Sequence, residues 1–158
     1  MIRRAYRLCA QAHAETAYSG EGARRFGGRW NSPGSAVAYA AESLSLAQLE
    51  ILVRTDHAAL LRHFACIVAE FPAELARPIE DLFALPADWD CQPPSPATQQ
   101  FGDRWVKSAV SAVLSVPSVV SAGERNWMFN PRHPDFPRVR ISPSVPFRFD
   151  LRLVQSSG

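Results

Sequence analysis

Residues 19–34 read SGEGARRFGGRWNSPG: five glycines, three arginines and two serines in sixteen positions. That mixture suits neither a regular helix nor a regular strand. Gly20, Gly22, Gly27, Gly28 and Gly34 allow backbone conformations closed to other residues and close approach to a ligand. Arg24, Arg25 and Arg29 bring positive charge to the same place. Exposed backbone N–H groups beside guanidinium forks describe an anion site, with phosphate the commonest guest. The alternative is a glycine-rich surface turn with solvated arginines. Trp30 inside the stretch needs something to pack on, and residues 31–34 close it as a turn, so a folded loop is expected.

Around this loop, 158 residues make one domain with room for a core. Hydrophobic content of 47% and charged content of 20% describe a globular protein, and a formal net charge of +2 gives no reason to expect direct nucleic-acid binding. The basic residues are arginines except Lys107, which favours forked contacts over a diffuse basic surface. No apolar run is long enough to span a membrane, and the opening MIRRAYR lacks a signal-peptide core. Cys9, Cys66 and Cys91 show no CxxC pairing, and the four histidines show no HExxH spacing. No metal site or disulfide framework is expected, and a reducing cytoplasm fits best.

Read in order, residues 2–9 predict a strand with Ile2, Tyr6 and Leu8 on one face and Arg3, Ala5 and Arg7 on the other. Arg7 either points into a cleft or faces water from a sheet edge. Residues 11–17 form a short helix or a loop, and 36–40 a short strand carrying Tyr39. A helix starts near Ser43 or Ser45, with Ser45 and Gln48 as a capping box, and runs to about Arg54. Its projection puts Glu50 on the same side as Leu46, Leu49 and Val53. A carboxylate there is either paired with Arg54 at the helix edge or used in chemistry, because burying it unpaired is costly. Residues 64–71 predict a strand stopped by Pro72. Twelve of the thirteen prolines lie from Pro72 onward, so short elements joined by rigid loops are expected. Ser95-Pro96 starts a helix reaching about Val106. Strands follow at 112–116, continued by Val119-Val120 after a bulge, then at 126–129, 139–141 and 147–151. Residues 156–158 read as a frayed end of a domain covering 1–155. The helices do not alternate with the strands, so a single α+β domain around a small mixed sheet pair is expected. A dinucleotide-binding βαβ unit is not, because Gly20-x-Gly22 lacks the third glycine at its offset.

The candidate polar groups are Arg7, Arg29, Tyr39, Glu50, Ser118 and Asn130. No GxSxG elbow is present. Ser118 is either functional or a bulge hydroxyl bonded to backbone, Tyr39 a ligand wall or a core ring, and His133 a turn residue. One acid, arginines for phosphate and an aromatic ring suit a nucleotide bearing a leaving group.

The blocks SGEGARRFGGRWNSPG, VAYAAESLSLAQLE, SAVLSVPSVV and NWMFNPRHPDF, in this order and spacing, resemble the RES domain family, toxins of bacterial RES–Xre toxin–antitoxin pairs. The likeness runs from Tyr6-Arg7 to Phe149-Asp150. It implies an ADP-ribosyltransferase-like fold in the bacterial cytoplasm that acts on NAD⁺ as substrate, with no cofactor. By motif, the family's arginine, glutamate and serine fall on Arg29, Glu50 and Ser118, and Arg7 and Tyr39 also match functional positions. Ser115 stands where many relatives carry arginine. The resemblance implies catalytic roles for Arg29, Tyr39, Glu50 and Ser118, and NAD⁺ contacts from Arg7, Arg29, Asn31, Ser32, Tyr39 and Asn130. Glu50 would stabilise an oxocarbenium-like state, the arginines would hold phosphates, and Tyr39 would wall in the nicotinamide. Ser118 and Asn130 would orient ribose or carboxamide.

The function implied is cleavage of the nicotinamide–ribose bond with inorganic phosphate or water as acceptor. ADP-ribosylation of a specific host protein is the alternative, and a silent chain that only binds its antitoxin is a third. An Xre-like antitoxin that blocks the cleft is the implied partner, with the toxin dimeric in that complex.

Overall fold

The computed structural model describes residues 1–154; the expected frayed end at 156–158 lies outside the described residues. In chain order the strands are β1 (Ile2–Ala10), β2 (Ala38–Ala41), β3 (Phe64–Pro72), β4 (Ala76–Pro78), β5 (Val113–Pro117), β6 (Arg125–Phe129), β7 (Arg140–Ile141) and β8 (Val145–Phe147). The helices are α1 (Glu21–Phe26), α2 (Leu44–Leu52), α3 (His57–Leu60), α4 (Pro96–Ser108) and α5 (Leu151–Val154). The strands hydrogen-bond in the order β4-β5-β6-β2-β1-β3-β7, with β8 also on β3; β4 and β5 are parallel and the other pairs antiparallel.

The expected sheet pair is present as two halves of one path. β1 and β3 pair along their whole length, from Ile2↔Pro72 to Ala10↔Phe64. β2 pairs with β6 over all four of its residues. Between β1 and β2, however, only Tyr6↔Ala41 is in register. The halves are joined at that position and part beyond it. The alternation in β3 explains the core: Ala65, Ile67, Ala69 and Phe71 are buried, while Cys66, Val68 and Glu70 are half-buried. Those four share one core with Ala5 of β1, Ala38 and Ala40 of β2, Val113 of β5 and Phe129 of β6. Strands so far apart in the order meet there because the sheet curls around it. A second core lies under α2, α3 and α5, with Leu8, Leu46, Ile51, Phe64 and Phe149. A third joins α4 to the loop through Trp30, Trp105, Leu114 and Met128.

Several sequence expectations are corrected. Residues 21–26 are helical, because Gly20 turns the chain at φ +77° and both Glu21 carboxylate oxygens take the Arg24 Nε–H at 3.0 and 2.9 Å. Gly27 and Gly34 also adopt positive φ. The α2 cap is Ser43, whose Oγ accepts from Leu46 N at 3.1 Å, in place of a Ser45 box. Docking onto the sheet buries Leu46, Ala47 and Ile51, and leaves Leu49 and Val53 exposed, so Glu50 lies at the edge of the apolar face. Residues 119–120 form a turn, since the Ser118 hydroxyl accepts both Val120 N and Ser121 N. The last strand ends at Phe147 and residues 151–154 are helical. The Ser95 cap with Pro96 in the first turn is as expected, with Thr98 N donating to Ser95 Oγ.

Candidate active site

Where β1 and β2 part, a cleft of about 890 Å³ opens. Its lining includes Arg7 of β1, Tyr39 of β2, Glu50 of α2, Asn126 of β6, and Gly28 and Arg29 of the loop. Four separate elements and a loop converge on the gap left by the single-position pairing of the two halves.

The loop's rigidity comes from α4 and from a buried asparagine. Thr98 Oγ1 donates to Arg29 O at 2.8 Å and Gln99 Nε2 to Gly28 O at 3.0 Å. Gly102 is required for this docking, because a Cβ there would sit 1.5 Å from the Trp30 carbonyl oxygen. Trp30 is buried and stacks on Trp89 at 6.0 Å, the packing partner its position in the loop demands. Asn31 is fully buried; its Nδ2 donates to Ala23 O, Ser32 O and Ser35 O, and its Oδ1 accepts from the Tyr39 hydroxyl at 2.6 Å. Ser32 N donates to Asp103 Oδ1. Neither Asn31 nor Ser32 lines the cleft. Both shape the loop from behind. The solvated-turn reading of residues 19–34 does not hold.

Arg7 is not an edge residue, since β1 lies between β2 and β3. Its Nη1 donates to Tyr39 O at 2.6 Å, bridging the two halves beyond their last paired position. Its Nε is buried with no hydrogen-bond partner, and Arg7 forms no ion pair among the described residues. Burial pulls its guanidinium below the ordinary value. Arg29 likewise has no acid partner among the described residues: Nη1 donates to Trp89 O and Cys91 O at 3.2 and 2.6 Å, and Nη2 to Gln92 Oε1 at 2.7 Å. Carbonyl oxygens hold its orientation without cancelling its charge. The cleft is therefore lined by two guanidinium groups with no acid partner among the described residues, which suits an anion. Burial pushes the Tyr39 phenol well above its usual range, so the hydroxyl stays protonated and keeps its bond to Asn31.

Glu50 is bonded to Ser118 and Asn126, and its carboxylate makes no ion pair with Arg54 among the described residues. Its Oε1 accepts from Ser118 Oγ at 3.0 Å and from Asn126 Nδ2 at 2.8 Å. Ser118 is buried and does not line the cleft. Its single O–H serves Glu50 and its lone pairs serve two backbone N–H groups, so its bonding capacity is filled. The hydroxyl is bonded to backbone, as the bulge-hydroxyl reading expects, and it also donates to Glu50. Asn130 lies at the other end of β6, buried, with Oδ1 accepting from Arg132 N. The structure does not bring it to the cleft. His133 is a turn residue, its Nδ1 accepting from Asp135 N. Ser115 is buried and accepts from Arg125 Nε at 2.6 Å. Asn126 was missed in the sequence. Its one signal there is alternation along β6, which puts it beside Ala41 of β2 and Val116 of β5. Among the described residues no group of three or more His, Cys, Asp or Glu side chains could hold a metal ion, and no helix is long and apolar enough to cross a membrane.

Residues 4–150 match the model of the RES domain. The chain is 38% identical over 152 residues to Toxin Res of Photorhabdus laumondii, covering 96% of this chain and 97% of that protein. It is 35% identical over 141 residues to the Prs ADP-ribosylating toxin of a Sphingobium strain, covering 88% of each. A chain of the solved M. tuberculosis MbcT-MbcA toxin–antitoxin complex superposes with a TM-score of 0.73 at 20% identity, covering 94% of this chain and 85% of that one. That last likeness establishes the shared α+β fold.

Proposed function

The chain belongs to the RES domain family, and from that premise we propose that it is the toxin of a bacterial toxin–antitoxin pair that depletes NAD⁺ by cleaving its nicotinamide–ribose bond. One observation carries the reading. A carboxylate pinned on one oxygen, Glu50, opens on the same cleft as Arg7, a half-buried arginine whose buried Nε has no hydrogen-bond partner and whose guanidinium has no acid partner among the described residues. A dinucleotide offers what each lacks. Its pyrophosphate supplies the anion for Arg7 and Arg29, and its ribose supplies hydroxyls and a developing positive charge for Glu50. The cleft is of a size to take such a ligand.

Cleavage breaks the bond between C1′ and the pyridinium nitrogen. The electron pair leaves with nicotinamide, which departs neutral and needs no proton, so a single carboxylate suffices. The remaining oxocarbenium-like ribose is stabilised by Glu50, with Ser118 and Asn126 holding that acid in place. Tyr39 walls the cleft, and water or inorganic phosphate attacks C1′ to complete the reaction. NAD⁺ is the substrate, and no resident cofactor enters. Such an enzyme acting freely would starve its own cell, so an Xre-like antitoxin that covers the cleft is the matching partner, with the toxin dimeric in the complex. The relatives named Toxin Res and the likeness to a toxin–antitoxin complex support that pairing.

A second reading has its own support. The Sphingobium relative is named an ADP-ribosylating toxin, and transfer to a protein uses the same first step with a different acceptor. Incubating purified protein with NAD⁺, with and without phosphate, and identifying the products tests both. Release of nicotinamide with ADP-ribose or its 1″-phosphate is the expected result. A folded protein that releases no nicotinamide unless a protein acceptor is added would shift the assignment to transfer, and one that never does would overturn both.

A further inference from the structure

We propose that Asn126 is a substrate-binding residue of this cleft, holding Glu50 with its amide nitrogen and accepting with Oδ1 a hydrogen-bond donor of the dinucleotide. The inference rests on the NAD⁺ reading above. Nδ2 donates to Glu50 Oε1 at 2.8 Å, which fixes the orientation of the amide: turned over, Oδ1 would face a carboxylate oxygen and repel it. With that orientation set, Oδ1 is buried and has no partner among the described residues. A buried acceptor left unpaired is disfavoured and calls for a donor.

The neighbours in the sheet cannot supply one. Asn126 stands opposite Ala41 on β2 and Val116 on β5, whose side chains offer only C–H groups. The backbone of Asn126 is committed to the ladder with those two strands. Asn126 lines the cleft together with Glu50, Ala41 and Val116, so a ligand seated there lies beside its amide. Two donors of NAD⁺ lie close to the bond that breaks: the carboxamide N–H of nicotinamide and a hydroxyl of its ribose. A donor received by Oδ1 would tie the position of the leaving group or sugar to Glu50 through one rigid side chain. Ser118 reaches the same Glu50 oxygen from behind and cannot do this, because its hydroxyl is fully engaged.

The test compares NAD⁺ with two analogues. One carries an acetyl group in place of the carboxamide and so lacks the N–H donor. The other lacks the 2′-hydroxyl of the nicotinamide ribose. In wild type, each analogue has its own ratio of kcat/KM relative to NAD⁺. Asn126→Ala is expected to raise that ratio about fivefold or more, toward one, for the analogue missing the bonded donor and leave the other unchanged, since an absent acceptor no longer discriminates. Asn126→Asp has nearly the same shape and keeps an acceptor. It is expected to retain the wild-type discrimination while kcat falls about tenfold or more, because a carboxylate then faces Glu50. Should the Ala variant melt, Asn126→Leu, which has a similar size and shape and no acceptor, takes its place in the same comparison. Unchanged ratios for both analogues in a folded Ala variant, or wild-type kcat in the Asp variant, would overturn the inference while leaving the NAD⁺ reading intact. A wild-type protein that neither binds nor cleaves NAD⁺ would remove both.

Discussion

The Ser118 hydroxyl donates to Glu50 Oε1 at 3.0 Å across 68 residues of chain, joining the turn after β5 to the last turn of α2. Ser118 is buried and outside the cleft, whereas Glu50 lines it. The serine therefore acts on the acid, and its removal should be felt as lost turnover more than lost affinity. Ser118→Ala is expected to lower kcat about tenfold while KM for NAD⁺ stays within about twofold. Two backbone N–H groups also lose their acceptor, so stability should fall by about 1–2 kcal/mol in urea denaturation. A rise in KM with kcat unchanged would mean that Ser118 touches the substrate.

Glu50→Gln isolates charge from shape. The amide oxygen of Gln can still accept from Ser118 and Asn126, so the melting temperature and NAD⁺ binding should stay near wild type. If Glu50 stabilises the developing oxocarbenium as proposed, loss of the negative charge is expected to lower turnover by about 10²–10³. The variant should also stop inhibiting bacterial growth. Wild-type turnover in a normally melting variant would take Glu50 out of the mechanism.

The legible parts of this chain were those in which one residue type has one physical use. Ser95-Pro96 marked a helix start, Pro72 marked the end of the strand at 64–71, and Trp30 signalled a folded loop. Glu50 was singled out because an acid beside an apolar face needs a partner, but its partners come from β6 and the turn after β5, at separations of 76 and 68 residues. No local pattern encodes such a pairing. Asn126 escaped for the same reason, and Asn130 attracted attention that its position at the far end of β6 does not repay. Helix α1 was hidden by its glycines, since the Glu21–Arg24 contact and the docked loop outweigh a weak local propensity. The cleft itself depends on β1 and β2 pairing at one position, a property of the whole sheet.

Arg29 both orients a charge and ties down residues 89–92. Its guanidinium reaches Trp89 O, Cys91 O and Gln92 Oε1 together, a span that an ammonium cannot reproduce. Arg29→Ala is expected to raise KM for NAD⁺ about tenfold or more, and Arg29→Lys to recover only part of that loss. Both should quicken proteolytic cleavage near residues 89–92, where the rim formed by Gln92 and Pro94 loses its anchor. Wild-type KM in both variants would show that the loop arginine serves no ligand.

Arg7 offers a test in which stability and function move apart. A half-buried guanidinium with a buried, unpartnered Nε and no acid partner among the described residues carries a desolvation cost that one carbonyl bond, to Tyr39 O, offsets only in part. Methionine fills a similar length with no charge, so Arg7→Met exchanges that cost for apolar packing beside Leu8 and Ala41 along the cleft wall. The folded protein should lose little stability or gain some, and its melting temperature should stay at or above the wild-type value. NAD⁺ affinity should fall about tenfold or more, because the pyrophosphate loses a charge-assisted donor. At the same concentration NAD⁺ should then raise the melting temperature of wild type more than that of the variant, as linkage between binding and folding requires. A variant that melts lower yet is stabilised by NAD⁺ as wild type is would assign Arg7 to joining the two halves of the sheet, with no part in holding the substrate.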